Sequence, residues 1–319
     1  MDTHENPSIV VADESALYLH LHSDGALHHG AVPTRDDPLL ESAVYPPVSS
    51  TFNPHNPLYG GTPVSLLVGG EDARRRTKLI FCRSLSENVP PGSFLELRDK
   101  LYVISPELVY ARMGNRKSEF QLAEIGMNLC GRYYLTCGAN EIEDRSSFLT
   151  TPENLRSYLC EVPAIRGTQK ALSALRWVVP NSGSPEETKM KLQYCTPLWA
   201  GGFGLPFTHM NFDVKAGRLA SLMSQSKYCV DLANPLIKAG MEYDGEDSHE
   251  DASKDKRRIN ELKVLGWNLF PIDKSILYNP DATYQSGFQL RKYFQMRGKL
   301  PKDWERRYVL LRDALNLPI

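Results

Sequence analysis

The sequence predicts an α/β protein with two domains, a smaller α+β domain over 1–150 and an α/β domain over 151–319. Three observations predict it. Between Ser184 and Ile272 the pattern reads helix, strand, strand, strand, helix, strand. Between Val64 and Ile104, four short apolar runs are separated by turn signals. The 319 residues, 41% hydrophobic and 24% charged, leave room for two cores.

In the first half, residues 31–62 carry Pro33, Pro38, Pro46, Pro47, Pro54 and Pro57 and read as loop. Val64–Val68, Thr77–Phe81, Ser93–Leu97 and Leu101–Ile104 then read as strands of a small antiparallel sheet, punctuated by Gly69-Gly70, Pro90-Pro91-Gly92 and Asp99-Lys100. Ser105-Pro106-Glu107 opens a helix, with serine as N-cap and proline at the first helical position. A further helix is expected over Glu119–Leu129, and Thr151-Pro152-Glu153 begins a third. A fourth, Thr168–Val178, is expected to bridge the two halves together with the third.

In the second half, Ser184-Pro185-Glu186-Glu187 starts a helix that Gly201-Gly202 closes. Glu187 completes a capping box with Ser184, a role worth about 1 kcal/mol. It also lies on the apolar stripe with Met190, Tyr194 and Leu198, where a carboxylate needs a partner such as a metal or its water. Strands follow at Thr208–Val214, Tyr228–Leu232 and Leu236–Asp244. Glu242 and Asp244, two apart in the last of these, share a face. Two like charges so close repel unless a cation sits between them, and oxygen ligands favour Mg2+. Solvated acids at a strand end are the plain alternative. The charged helix Asp251–Gly266 carries Ile259, Leu262 and Leu265 as its stripe, and Trp267–Ile272 is the next strand. The repeat Trp304, Tyr308, Leu311, Leu315 predicts an amphipathic C-terminal helix, with Arg306, Arg307 and Arg312 towards its open face.

Composition narrows the function classes. No apolar run approaches the roughly 18 residues of a membrane span, and Met1–Asn6 lacks the basic and apolar regions of a signal peptide, so a cytoplasmic location with no membrane partner is expected. The six cysteines form no C-x-x-C pair and read as small buried hydrophobes. A net charge of −1 argues against bulk coating of nucleic acid, while basic clusters at Arg74–Arg76, Lys254–Arg258 and Arg297–Arg307 leave local contacts open.

Three resemblances bear on function. The run Tyr18–Gly25, with His20 and His22 followed by His28 and His29, resembles the opening metal motif of the PHP phosphoesterases, in which alternating histidines lie on a first strand; a short helix from Ser15 is the competing reading. Val103-Ile104-Ser105-Pro106-Glu107 resembles part of the domain of AbiEi-family antitoxins over roughly residues 60–135, which implies a defence or toxin–antitoxin setting and a toxin or regulator as partner.

The third covers about 90 residues: Ser184-Pro185-Glu186-Glu187-Thr188, Gly204-Leu205-Pro206, Val230-Asp231-Leu232, Met241–Gly245, His249, Asp255, Arg258, Leu262 and Gly266-Trp267. In that order they resemble a restriction-endonuclease-like (PD-(D/E)XK) domain of the branch related to very-short-patch-repair endonucleases. The resemblance implies a Mg2+- or Mn2+-dependent DNA endonuclease. Asp231, Glu242 and Asp244 would be metal ligands, Glu187 would join them from the first helix, and His249 would lie near the attacking water or scissile phosphate. Asp255 and Arg258 would orient the site or contact phosphate. Asp244 stands where many such nucleases have lysine, which leaves open the group that activates water. A non-catalytic DNA- or partner-binding regulator that keeps the fold as a scaffold is the alternative reading.

Overall fold

The computed structural model describes residues 8–24, 43–46, 52–98, 100–245 and 252–319, the side chains of 252–255 excepted. It is a mixed α/β protein that divides into two compact units, Met1–Arg176 and Trp177–Ile319. The boundary therefore falls at 176 rather than at 150. Helices α4 (Pro152–Glu161) and α5 (Thr168–Ala174) pack on α2 (Pro106–Met113), with which they share the first unit's core. The Tyr158 hydroxyl meets Ser93 Oγ at 2.7 Å, and Tyr110 donates to Ala171 O at 3.3 Å.

The first unit is built on a five-stranded sheet of β1 (Ile9–Val11), β2 (Val64–Val68), β3 (Ile80–Ser84), β4 (Phe94–Arg98) and β5 (Leu101–Ile104), in the order β3-β2-β1-β5-β4. It is mixed rather than antiparallel, because β2 pairs parallel with β3 and β1 parallel with β5. The unforeseen strand is β1. Only three residues long, it is buried along its whole length in the centre of the sheet, as an unbroken apolar run must be. Helix α3 (Glu119–Leu129) carries a full capping box between Ser118 and Gln121, and β6 (Tyr133–Leu135) pairs antiparallel with β7 (Ile142–Asp144).

The segment that resembles a metal-binding first strand is a helix, α1 (Asp13–Leu21). His20 is buried in it with Nε2 against Ile104 O at 2.8 Å, and His22 follows it with Nδ1 against Tyr18 O at 2.9 Å. These two rings serve helix packing and capping rather than the strand-borne metal motif that they resemble. His28 and His29 lie outside the described residues.

The second unit realises the predicted order. Helix α6 (Pro185–Cys195) precedes β8 (His209–Lys215), β9 (Lys227–Asn234) and β10 (Ala239–Asp244); α7 (Ala252–Val264) then leads to β11 (Asn268–Asp273). The sheet order is β11-β10-β9-β8, with β8, β9 and β10 antiparallel in sequence and β10 parallel to β11 across α7. Pro271 is accommodated because β11 is an edge strand. Residues 236–238 belong to the turn into β10 rather than to the strand. Gly240 is required by close packing, since a Cβ there would meet Val230 Cγ1 at 2.4 Å.

Helix α7 is held on the sheet by Leu262, fully buried among Val214, Tyr228, Val230 and Trp267. At its side Glu261 accepts from Tyr228 Oη at 2.8 Å and from Ser224 N at 2.8 Å. Behind the sheet's elements, α8 (Lys274–Leu277), α9 (Pro280–Tyr293) and α10 (Trp304–Ala314) complete the unit around Phe203, which touches Tyr194, Phe288, Trp304 and Tyr308. Arg312 departs from expectation. It is fully buried, and its guanidinium donates to Leu277 O at 3.2 Å, to Thr283 Oγ1 at 3.1 Å and to Pro318 O. Arg306 is exposed and Arg307 half-buried.

The cysteines also divide. Cys82 and Cys130 are buried, Cys137, Cys195 and Cys229 half-buried and Cys160 exposed, and all six are free.

Candidate active site

The candidate site lies in the second unit where β9 and β10 part. Their antiparallel register runs Asn234↔Ala239, Ala233↔Gly240 and Leu232↔Met241. Beyond that point β9 stays paired with β8 as far as Lys227, and β10 with β11 as far as Asp244. The next residues on the two strands are Asp231 and Glu242, so the fork opens at two acids. Asp231 fills part of the gap: its Oδ2 accepts from Tyr243 N at 2.8 Å, a side chain standing in for the lost ladder bond.

Glu242 is only 14% exposed at its side chain. Its Oε2 accepts from Arg258 Nη2 at 2.8 Å, whereas its Oε1 is buried without a hydrogen-bond partner. Arg258 reaches it because it lies four residues before Leu262, on the face of α7 that meets the sheet. The same guanidinium donates to Cys229 O, tying α7 to β9. Burial, then the Asp231 charge, push the Glu242 carboxyl up to about 8 against the pull of Arg258.

Glu187 comes to the same cluster from the first turn of α6. Its backbone N–H donates to Ser184 Oγ at 3.1 Å, the first half of the expected capping box. Its carboxylate does not turn back to the Ser184 N–H. Instead Oε2 accepts from Gly183 N at 2.9 Å and from Asn211 Nδ2 at 2.6 Å. Gly183 permits this approach, because a Cβ there would lie 2.9 Å from Glu187 Oε1. Glu187 is 8% exposed, and burial, then Asp231, raise its carboxyl to about 8. Asp231 thus acts on both glutamates, and Glu187 on Glu242.

The residue that sequence reasoning missed is Asn211. By the β8–β9 register it faces Asp231, at the one position skipped between Met210↔Leu232 and Phe212↔Val230. It has φ +45°, a left-handed conformation that asparagine tolerates better than most residues. Its Nδ2 also donates to Asn181 O at 3.0 Å, and its Oδ1 accepts from Cys229 Sγ at 3.3 Å. An asparagine in mid-strand, where β-propensity disfavours it, was the available signal.

The other expected residues divide. Asp244 ends β10 exposed to solvent, and the charges that act most strongly on Glu242 are Asp231, Arg258 and Glu187. Asp255 lies in α7 with its side chain outside the described residues, and His249 is outside them altogether. Among the described residues no three His, Cys, Asp or Glu side chains already converge to hold a metal ion, and no helix is long and apolar enough to cross a membrane. What fits a cation is the pair Asp231 and Glu242, with a buried, unpartnered carboxylate oxygen on Glu242. A hard divalent ion that keeps most of its waters needs one or two carboxylates.

No protein-family model, curated protein or solved structure matches the chain.

Proposed function

We propose that the second unit is a restriction-endonuclease-like domain and that the chain is a Mg2+- or Mn2+-dependent DNA endonuclease. The observation that carries this reading is the buried Glu242 Oε1 without a partner at the β9–β10 fork, beside Asp231 and Glu187. Leaving a buried polar atom unsatisfied costs about 1–3 kcal/mol, more for a charged group, and a bound cation offsets that cost.

Asp231 and Glu242 would hold the ion, which when bound would stabilise negative charge on a phosphodiester and lower the pKa of a coordinated water. The chain's own residues have three tasks. Arg258 neutralises Glu242 Oε2 and fixes its rotamer through the second bond to Cys229 O. Asn211 and the Gly183 N–H orient Glu187 towards the two acids. Glu187, with its raised pKa, can hold a proton at neutral pH and release it when a cation enters, a property suited to proton transfer. Asp244 is proposed as a solvent-side residue rather than a ligand. His249 keeps its proposed role near the attacking water.

A second reading, a non-catalytic DNA- or partner-binding regulator on the same scaffold, draws on the Arg258–Glu242 ion pair, which already neutralises one of the acids. The two separate on one comparison: cleavage of DNA by the wild type and by Glu242→Gln, each with Mg2+, with Mn2+ and with chelator.

A further inference from the structure

The first unit contains a second charged constellation, and it has the opposite sign. A cavity of about 270 Å3 is lined by Arg74, Arg83, Arg112, Arg116 and Arg166 together with Glu71 and Glu87. The arginines come from separate places in the chain: the end of β3, the end of α2 and the residues after it, the α4–α5 connection, and the β2–β3 connection. Such a cluster does not form without something to hold it.

What holds it is Asp13, fully buried at the start of α1. Arg112 Nε donates to its Oδ1 at 2.6 Å, Arg116 Nη2 donates to its Oδ2 at 2.8 Å, and Arg83 Nε lies 3.2 Å from Oδ2. Three guanidiniums thus converge on one carboxylate. Its backbone is strained to do this, with φ +53°, and such outliers persist where the surroundings over-determine them. Although burial opposes the Asp13 charge, Arg112, Arg116 and Arg83 hold its carboxyl below the usual range. The remaining acids sit at the rim: Glu71, 69% exposed, pairs with Arg74, and Glu14, 49% exposed, pairs with Arg116. In the interior there are three guanidiniums to one carboxylate.

One carboxylate cannot satisfy every donor of three guanidiniums. Arg83 Nε is buried and not aligned to donate to Asp13, so it has no hydrogen-bond partner. Its guanidinium lies over the Phe81 ring, 4.3 Å from the centroid, which fixes it in place. Burial, then repulsion by Arg116, lowers the pKa of Arg83. A site of fixed, mutually repelling guanidiniums around a cavity is built for an oxyanion, and forked donors arriving from several directions suit a tetrahedral one.

We propose that this cavity binds the terminal phosphate of a phosphate monoester, with Arg83 and Arg166 as direct donors and Asp13 as the residue that positions Arg83, Arg112 and Arg116. A cavity of about 270 Å3 has room for a phosphate and its attached sugar, so a chain end or a free nucleotide fits. The site is independent of the carboxylates of the second unit.

The test is titration calorimetry of the full chain with inorganic phosphate, a nucleoside 5′-monophosphate, succinate, and one short single-stranded oligonucleotide with and without a 5′-phosphate. The variants are Arg166→Gln, at an exposed position where folding is not in question, and Arg83→Lys, which keeps a charge facing Asp13 but removes the fork. The site predicts binding of the 5′-monoester, weakened at least about tenfold in both variants. Should Arg83→Lys fail to fold, Arg166→Gln alone decides. Equal affinity for the mononucleotide and the phosphorylated oligonucleotide identifies a free nucleotide as the ligand, and preference for the oligonucleotide identifies a strand end. No binding of any monoester, equal binding of the 5′-hydroxyl strand, equal binding of succinate, or unchanged affinity in Arg166→Gln would overturn the proposal.

Discussion

Arg258 donates to one carboxylate oxygen of Glu242 at 2.8 Å while the other oxygen of Glu242 is buried with no partner. The glutamate is therefore half satisfied by the protein, and the arginine's second bond, to Cys229 O, makes it the link between α7 and β9 at the fork.

Replacing Arg258 by methionine removes both bonds but keeps the packing of the aliphatic stem. The Glu242 carboxyl, already raised to about 8, moves higher because its one nearby cation is gone. Unfolding in urea should register a loss of about 1–3 kcal/mol, discounted from the fully buried case because Arg258 is 28% exposed. A loss below a few tenths of a kcal/mol would mean that the pair holds nothing in place.

The pH dependence follows from two raised carboxyls. Glu187 and Glu242 move from 4.5 to about 8 on folding, so between those values the folded chain holds protons that the unfolded chain has lost. Their contribution to stability is full below about pH 4.5 and is lost as pH rises towards about 8. Glu187→Gln cannot lose its proton, so its stability relative to wild type should improve with rising pH, by an amount on the order of 1–3 kcal/mol. Denaturation curves of the two proteins across this range give the difference directly, and a difference independent of pH would contradict the assigned shift. Mg2+ at saturation should stabilise wild type most at the alkaline end, where no protons need be displaced.

Much of this arrangement was legible in the sequence, and the parts that were not have physical causes. The element order from α6 to β11 followed from turn residues and apolar periodicity, because each element there is bounded by a strong local signal such as Ser184-Pro185 or Gly266-Trp267. Glu187 could be singled out because it lies on an apolar helical face, whereas Arg258 takes its expected role only from the family resemblance of the ordered run it belongs to. Strand β1 escaped because three residues are too few for periodicity, and the mixed sheet of the first unit because register and direction depend on which strands meet rather than on any one of them. Asn211 escaped because its meaning lies in the residue across from it, Asp231, which only the β8–β9 register supplies. Arg312, placed on an open face by its charge, is buried because the carbonyls of Leu277 and Pro318 and the Thr283 hydroxyl satisfy its donors.

Asn211 offers a cleaner test of the local geometry. Its 2.6 Å bond to Glu187 and its φ of +45° are separate contributions. Asn211→Gly removes the bond and accepts the backbone, whereas Asn211→Ala removes the bond and adds left-handed strain of about 1–2 kcal/mol. Alanine should therefore be the less stable of the two by roughly 1 kcal/mol in thermal or chemical unfolding. In both, the alkaline midpoint attributed to Glu187 should move up. Equal stability of the two variants would contradict the backbone assignment.

Leu262→Ala tests whether α7 is held by its core contact or by its charges. Loss of a fully buried leucine should cost about 2–5 kcal/mol. Because Arg258 rides on the same helix face, metal affinity measured by calorimetry should fall with it, whereas exposed Lys263→Ala should change neither quantity.

If Asp231 and Glu242 hold a divalent cation for phosphodiester hydrolysis, DNA cleavage must depend both on the metal and on Glu242. The most direct measurement is cleavage of plasmid and linear DNA by wild type and Glu242→Gln, with circular dichroism to establish that both are folded. Wild type should nick or cleave DNA only with Mg2+ or Mn2+ and stop with chelator, and activity should fall at least about a hundredfold in the variant, whose neutral amide keeps the shape of the site but cannot bind the ion tightly. Folded wild type that leaves DNA intact with either metal, or a variant that cleaves as well as wild type, would contradict it.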